Sequence, residues 1–399
     1  MKKISILFLA LLLLGSIFMF FPKQTFAAPV TINVYNWGQY ISDGTDGYID
    51  VIAEFEKAYP DIRVNYMVYD SNETMYTKLQ SGGNAFDVIV PSDYMIDKLI
   101  AEDALEPLDF SNIPNYRYLD DAYKNLAYDP ENKYSVPYTW GYVGIIYNTK
   151  YVNEDDVGSW DLLWNRNYAG KILMFDNPRD SFAIAELLLG YSLNTDDPEE
   201  LTAAAEKLKE QKNLVQSYVM DQIFDKLERE EAWIGAYYSG DYPLMLEENE
   251  NLAFNVPEEG FNLFVDALCI PKGCQHKKEA ELFINFLCEP EICAENLEYL
   301  DYATPFSAAK EFTDPEMLED EVLYPPAEVL AKGEAFHALS TEGTQLMNTL
   351  WLSVKTQENV LGKYLILTGC ALVVCIGLYL FFHIRKKRLR RKRGTYYPS

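Results

Sequence analysis

Aromatic residues stand beside carboxylates and hydroxyls where strand-like runs end. Tyr35-Asn-Trp37-Gly-Gln-Tyr40 closes the first such run, Pro91-Ser92-Asp93-Tyr94 the third, and Tyr237-Tyr238-Ser-Gly-Asp241 one in the second half. Phe261-Asn-Leu-Phe264-Val-Asp266 leads into the apolar run 267–271. Flat π-faces suit methylenes and ammonium charge, and carboxylates suit charged ends, so these parts fit an extended organic cation. A cation over an aromatic face gains about 0.5–2 kcal/mol, and a charge-assisted hydrogen bond about 1.5–3 kcal/mol. Because the chain holds 30 Tyr, 21 Phe and 6 Trp, any one ring, Trp37 included, can equally be packing. The reading rests on the combination.

Other chemistries are poorly supplied. The three histidines, His276, His337 and His383, are far apart in sequence, which disfavours imidazole catalysis and zinc ligation. G-x-S-x-G, H-E-x-x-H, P-loop and post-strand G-x-G-x-x-G motifs are all missing from the sequence, so hydrolase, metalloprotease and nucleotide-binding readings lack support. No enzyme activity, cofactor or metal is expected. Between residues 29 and 360 about 22 basic residues face 61 acidic ones, a net charge of about −39. Such a body repels nucleic acid and attracts cations.

Strands and helices alternate in the order needed to position these residues. Strand-like runs are 31–35, 62–69, 86–90, 142–148, 171–175 and 232–238. Helical spacing appears at 48–58, 74–81, 94–101, 181–190 and 198–211. This alternation predicts an α/β layer fold with a largely parallel sheet, and two such sets predict two lobes. Ligands on such sheets sit beyond the carboxyl ends of the strands, so an interlobe cleft is the expected site. After Glu342, the apolar spacing of Leu346, Leu350 and Val354 suits a stalk or a terminal helix docked on the body.

The chain ends predict an address. Residues 1–27 read as a signal peptide, with Lys2 and Lys3, an apolar run, and a small-residue cleavage site at Thr25-Phe-Ala-Ala28; an uncleaved signal anchor is the alternative. The uncharged run from Tyr364 to Phe382 would extend about 28 Å as a helix. Residues 364–383 are therefore expected to span a membrane, with the basic tail 384–399 in the cytoplasm and the body outside. Cys370 and Cys375 in that span read as small apolar residues. Cys269, Cys274, Cys288 and Cys293 would lie in an oxidising exterior. They are expected to form at least one disulfide, in any of three connectivities if two form, with unpaired thiols as the alternative.

Several strings taken together resemble the spermidine/putrescine-binding proteins of polyamine ABC importers. They are Tyr35-Asn-Trp37 with Tyr40, Asp70-Ser-Asn-Glu-Thr-Met-Tyr76, Asp87-Val-Ile-Val-Pro-Ser92, Tyr134-Ser-Val-Pro-Tyr-Thr-Trp-Gly141, Ser159-Trp-Asp-Leu-Leu-Trp164 and Tyr302-Ala-Thr-Pro305. The resemblance covers about residues 30–345. It implies a type II periplasmic-binding fold, two α/β lobes with a hinge that closes over the ligand, and ABC permease and ATPase subunits as partners. The lobes are expected as 28–138 with 267–308 and 139–266 with 309–355. Trp37, Tyr40, Ser92 and Tyr94 then belong to the wall of the first lobe. Asp180 stands at an acidic ligand position, and Asp266 at the carboxylate for a ligand amine. Tyr238 and Phe264 stand where relatives carry Trp, Tyr302 matches a family aromatic, and Asp241 an acid of the putrescine type. Asn177 replaces an acid of the spermidine pattern, and Gly38 replaces a hydroxyl residue. Other readings are ferric-iron capture through the pair Tyr237-Tyr238 and a surface sensor of amines.

Overall fold

The computed structural model describes residues 28–82, 86–356, 376–381 and 383–384. In chain order the main elements are β1 (Val30–Trp37), α1 (Val51–Ala58), β2 (Ile62–Tyr69), α2 (Asn72–Gln80), β3 (Val88–Ile89), α3 (Asp93–Ala101) and β4 (Ser135–Asn148). There follow β5 (Ile172–Phe175), α4 (Pro178–Leu188), α5 (Pro198–Gln211), β6 (Val215–Val219), α6 (Ile223–Glu228), β7 (Ile234–Tyr238), α7 (Asp241–Glu248), β8 (Leu252–Asn255) and β9 (Phe261–Cys269). The series ends with α8 (Lys277–Leu287), α9 (Pro290–Leu300), β10 (Gly333–Glu334) and α10 (Thr341–Thr356).

The chain divides into two units. The first runs to Trp140 and resumes over Val265–Leu318; the second covers Gly141–Phe264 and resumes at Glu319. The chain therefore changes unit at 140/141, 264/265 and 318/319, against expected borders at 138/139, 266/267 and 308/309. Asp266 consequently belongs to the first unit.

In the first unit β1 is central, parallel to β2 from Val30↔Ile62 to Trp37↔Tyr69 and parallel to β3 at Val34↔Val88. The returning β9 joins β3 antiparallel at Ile89↔Cys269. Local sequence explains the helix starts. Asp50 caps α1 by accepting from Ala53 N at 2.9 Å, and Ser71 with Thr74 forms a capping box that starts α2 at Asn72, two residues before the periodicity alone suggests. Ile89, Ile96, Leu99, Met75 and Phe86 are among the residues of its core.

The second unit orders its strands β8-β4-β7-β5-β6. β5 is parallel to both β6 and β7, while β4 runs antiparallel to β7 and β8. The expectation of a largely parallel sheet therefore holds for only part of each unit. The antiparallel members, β4 and β9, are the strands along which the chain changes unit, and they lack the crossover helix that a parallel partner requires. Trp160, Phe175, Phe182, Ile145 and Leu163 are buried in this core.

The terminal segment after Glu342 is a helix, α10, docked on α4 and α5. Its core residues are Met347, Trp351 and Val354; Leu346 and Leu350 are only partly buried. The buried stripe therefore shares only Val354 with the expected one, and Trp351 packs edge-on against Tyr218 of β6. Burial also governs the cysteines, and here the expected disulfide is overturned: Cys269, Cys274, Cys288 and Cys293 are all free thiols. Cys274 Sγ donates to Asp87 Oδ1 at 3.1 Å, and Cys293 Sγ lies 3.5 Å from Thr304 Oγ1. Cys269 and Cys288 sit fully buried on β9 and at the end of α8. Burial pushes all four thiols upward, Cys274 and Cys293 to about 12.

The expected signal peptide, 1–27, and most of the expected span, 364–383, lie outside the described residues. Among the described residues no helix is long and apolar enough to cross a membrane.

Candidate functional site

Each unit carries one group of candidate residues. In the first, Trp37 ends β1, its Nε1 donates to Val90 O at 2.8 Å, and its ring lies 4.7 Å from that of Tyr69. Gln39 then adopts a left-handed conformation, φ 49°, which turns the chain immediately before Tyr40. Asn36 Nδ2 and the Tyr138 hydroxyl both donate to Tyr40 O, at 3.1 and 2.9 Å. The Tyr40 ring is buried edge-on against Tyr302, with centroids 5.2 Å apart, and against Tyr138 at 5.7 Å.

That packing delivers the Tyr40 hydroxyl to Asp266. It donates to Asp266 Oδ2 at 2.7 Å and makes a short hydrogen bond with Thr139 Oγ1. A phenol has one proton, so Thr139 is the donor in the second bond. Asp266, only 4 % exposed, also forms an antiparallel bridge with Ser92. Ser92 in turn exchanges two hydrogen bonds with Asn72: Asn72 Nδ2 to Ser92 Oγ at 3.0 Å, and Ser92 N to Asn72 Oδ1 at 3.2 Å. Tyr94 donates to Glu73 Oε1 at 2.9 Å. Burial and then the Asp266 charge hold the Tyr69 hydroxyl well above its ordinary range, so it remains a protonated donor, bonded to Val90 O at 2.6 Å.

In the second unit the turn between β5 and α4 carries the carboxylate. Asn177 is the N-cap of α4: its Oδ1 accepts from Asp180 N at 2.8 Å, and its Nδ2 donates to Asp180 Oδ2 at 2.6 Å. Tyr238, the last residue of β7, donates to the same oxygen at 3.1 Å. Asp180 is thus held by two donors in the first turn of a helix, where the macrodipole favours negative charge, and is 8 % exposed. The Tyr238 ring packs 5.2 Å from Phe175 and edge-on at 5.4 Å from Phe264. Gly141 makes room for that: a β-carbon there would sit 2.9 Å from Phe264 Cζ. Asp241 opens α7 three residues after Tyr238.

The neighbouring Tyr237 is buried, donates to Asp221 Oδ1 at 3.3 Å, and is pushed well above its ordinary range by burial and by the charges of Asp241, Asp221 and Asp180. Both members of the Tyr237-Tyr238 pair act as hydroxyl donors to carboxylates.

Within the first unit, then, Tyr40, Ser92, Asp266 and Tyr302 come together. Trp37 and Tyr94 are tied to neighbouring residues of the same unit, Val90 and Glu73. In the second unit Asn177, Asp180, Tyr238 and Phe264 form one contact group, with Asp241 close in sequence. Sequence reasoning did not assign Tyr138, Thr139, Asn72, Glu73 or Asp221. Four of these lie inside the quoted strings 70–76 and 134–141, so the signal was present; Asp221 had none. Chemically, each group holds a carboxylate that accepts hydrogen bonds from hydroxyl or amide donors, beside aromatic edges and faces.

Residues 50–325 match the sequence family described as bacterial extracellular solute-binding protein. A spermidine/putrescine-binding periplasmic protein of Salmonella typhimurium is 35 % identical over 305 residues, covering 76 % of this chain and 86 % of that protein. A putrescine-binding periplasmic protein of Pseudomonas aeruginosa is 32 % identical, covering 89 % and 99 %. Among solved structures, a putative spermidine/putrescine ABC transporter protein of Listeria monocytogenes superposes with a TM-score of 0.77 at 38 % identity, covering 82 % of this chain and 99 % of that one.

Proposed function

The chain belongs to the bacterial extracellular solute-binding proteins, and from that premise we propose that it is the substrate-binding component of a polyamine ABC importer, taking spermidine and putrescine, and not an enzyme. The observation that carries the reading is the pair Asp266 and Asp180. Each is almost fully buried, and each receives a tyrosine hydroxyl, from Tyr40 and Tyr238 respectively. A buried carboxylate is costly unless a cation compensates it, and one ammonium group for each carboxylate suits a diamine. The aromatic residues Trp37, Tyr94, Phe264 and Tyr302 then serve the methylenes, and Asp241 a further charge. Closure of the two lobes over the ligand, and its delivery to permease and ATPase subunits, belong to the same reading.

The address is part of the proposal. Residues 1–27 direct export, 364–383 anchor the chain in the membrane, and the basic tail 384–399 stays inside. A C-terminal helix would keep the binder close to its permease.

Titration calorimetry with putrescine, spermidine and a neutral diol of putrescine's length tests the ligand. Both amines are expected to bind and the diol is not, since nothing in the diol offsets the buried carboxylates. Absence of heat with either amine at millimolar concentration overturns the assignment. For the anchor, the full chain is expected to stay with membranes after alkaline carbonate washing, whereas a chain ending at Thr356 should not.

A further inference from the structure

The last turn of α10 is fastened to the ligand-bearing turn of the second unit. Lys355 forms an ion pair with Asp176 Oδ1. Asp176 follows β5 directly and precedes Asn177, the residue that caps α4 and clamps Asp180. The Asp176 N–H is itself tied to Val219 O on β6 at 2.9 Å.

Lys355 is not a loose surface lysine. Its Nζ lies 5.5 Å from the centre of the Tyr218 ring and 5.7 Å from that of Trp351, and those two rings meet edge-on at 5.3 Å. Lys212 donates to the Lys355 carbonyl at 2.6 Å, with its Nζ 5.2 Å from the same Tyr218 ring. A cation thus closes the carbonyl end of α10, where helix carbonyls lack partners and the macrodipole is negative. Two lysines, two rings and one carboxylate form a single cluster joining α10, α5, β6 and the β5–α4 turn.

We propose that Lys355 is a positioning residue for ligand binding: through Asp176 it holds the 176–180 turn that presents Asp180, and so makes amine affinity depend on the docking of α10. The inference rests on the amine-binding reading above. Its consequence is that α10, from which the chain runs on to the proposed membrane span, is mechanically continuous with the ligand wall. Displacing the end of α10 would loosen the site, a route by which the membrane side could influence ligand retention. Both side chains of the pair are about one-third exposed or slightly more, so the effect is modest: roughly a two- to fivefold loss of affinity when the latch is broken.

Charge and position can be separated because the two single variants alter the charge in opposite directions. Lys355→Met removes a positive charge and Asp176→Asn a negative one; a purely electrostatic role shifts affinity for a cationic ligand in opposite senses. Positioning predicts that both weaken putrescine and spermidine by a similar factor, that the double variant is no worse than either single one, and that Lys355→Arg retains binding. Hydrogen exchange of the amides from Asp176 to Ser181 in the unliganded full chain in detergent should accelerate in both single variants and not in Lys355→Arg. Opposite shifts in affinity, unchanged exchange, or faster exchange with unchanged affinity would overturn the proposal. Failure of the unaltered protein to bind any amine is instead a failure of the functional reading, and the exchange comparison then decides the latch alone.

Discussion

The hydroxyl of Tyr40 donates to Asp266 Oδ2 at 2.7 Å across 226 residues of chain, while Thr139 satisfies the phenolic oxygen from the other side. The Asp266 carboxylate is therefore oriented by a residue from the loop after β1. Asp266→Asn is expected to cost about 2–5 kcal/mol of amine binding, because it removes the charge itself. Tyr40→Phe keeps the ring and removes only one donor, so it should cost about 1 kcal/mol. Calorimetry on the two variants checks the order; unchanged affinity in Asp266→Asn contradicts the assigned role.

Asn177 donates to Asp180 Oδ2, at a position where the family resemblance implies an acid in the spermidine pattern. In Asn177→Asp one oxygen can still cap the Asp180 amide, but the other replaces the 2.6 Å donor contact with like charge. The unliganded variant should be less stable by roughly 1–2 kcal/mol. Its preference should move toward the triamine, raising the spermidine-to-putrescine affinity ratio about tenfold. A ratio that stays constant or falls would place Asn177 outside charge selection.

Glu186 on α4 is fully buried, and neither of its carboxylate oxygens has a hydrogen-bond partner. Burial raises its pKa from 4.5 to about 8; Arg179 opposes the rise, and Glu200 and Glu334 add to it. The fold thus prefers the protonated form. The resulting penalty is absent below about pH 4.5, grows as the pH rises toward 8, and is constant above that. Glu186→Gln should therefore melt near the wild-type temperature at pH 5 and be more stable by roughly 2–4 kcal/mol at pH 8.5. Equal stabilities at pH 8.5 would mean that the carboxyl is solvated or paired.

The four body cysteines should alkylate as free thiols. Denaturing the chain without reductant and mapping the modified peptides is expected to find Cys269, Cys274, Cys288 and Cys293 all labelled. Before denaturation, Cys269 and Cys288 should react least, being fully buried with raised pKa values. Detection of any linked peptide pair among the four would contradict their free-thiol state.

The inventory of residues and its order could be read from local stretches of the chain. The pairing of rings with acids, the alternation of strand and helix from Val30 to Tyr238, and the strings around Tyr76 and Gly141 were all legible. Each depends on residue type and short spacing. Local capping moved helix starts by two or three residues, as Ser71 did for α2, Asp50 for α1 and Asn177 for α4. Register and side-chain facing were settled by long-range packing. The bridge that pairs Ser92 with Asp266, and with it the meeting of Asp266 and Tyr40, follows from the antiparallel return of β9 alongside β3, which no local window contains. The same limit applies to the face of α10. Stripes at 346, 350 and 354 and at 347, 351 and 354 are both compatible with helical spacing, and packing selects the second, with Trp351 edge-on against Tyr218. The disulfide expectation failed for a related reason: spacing brings thiols near one another in the chain, but whether they bond depends on where each sulfur points after folding.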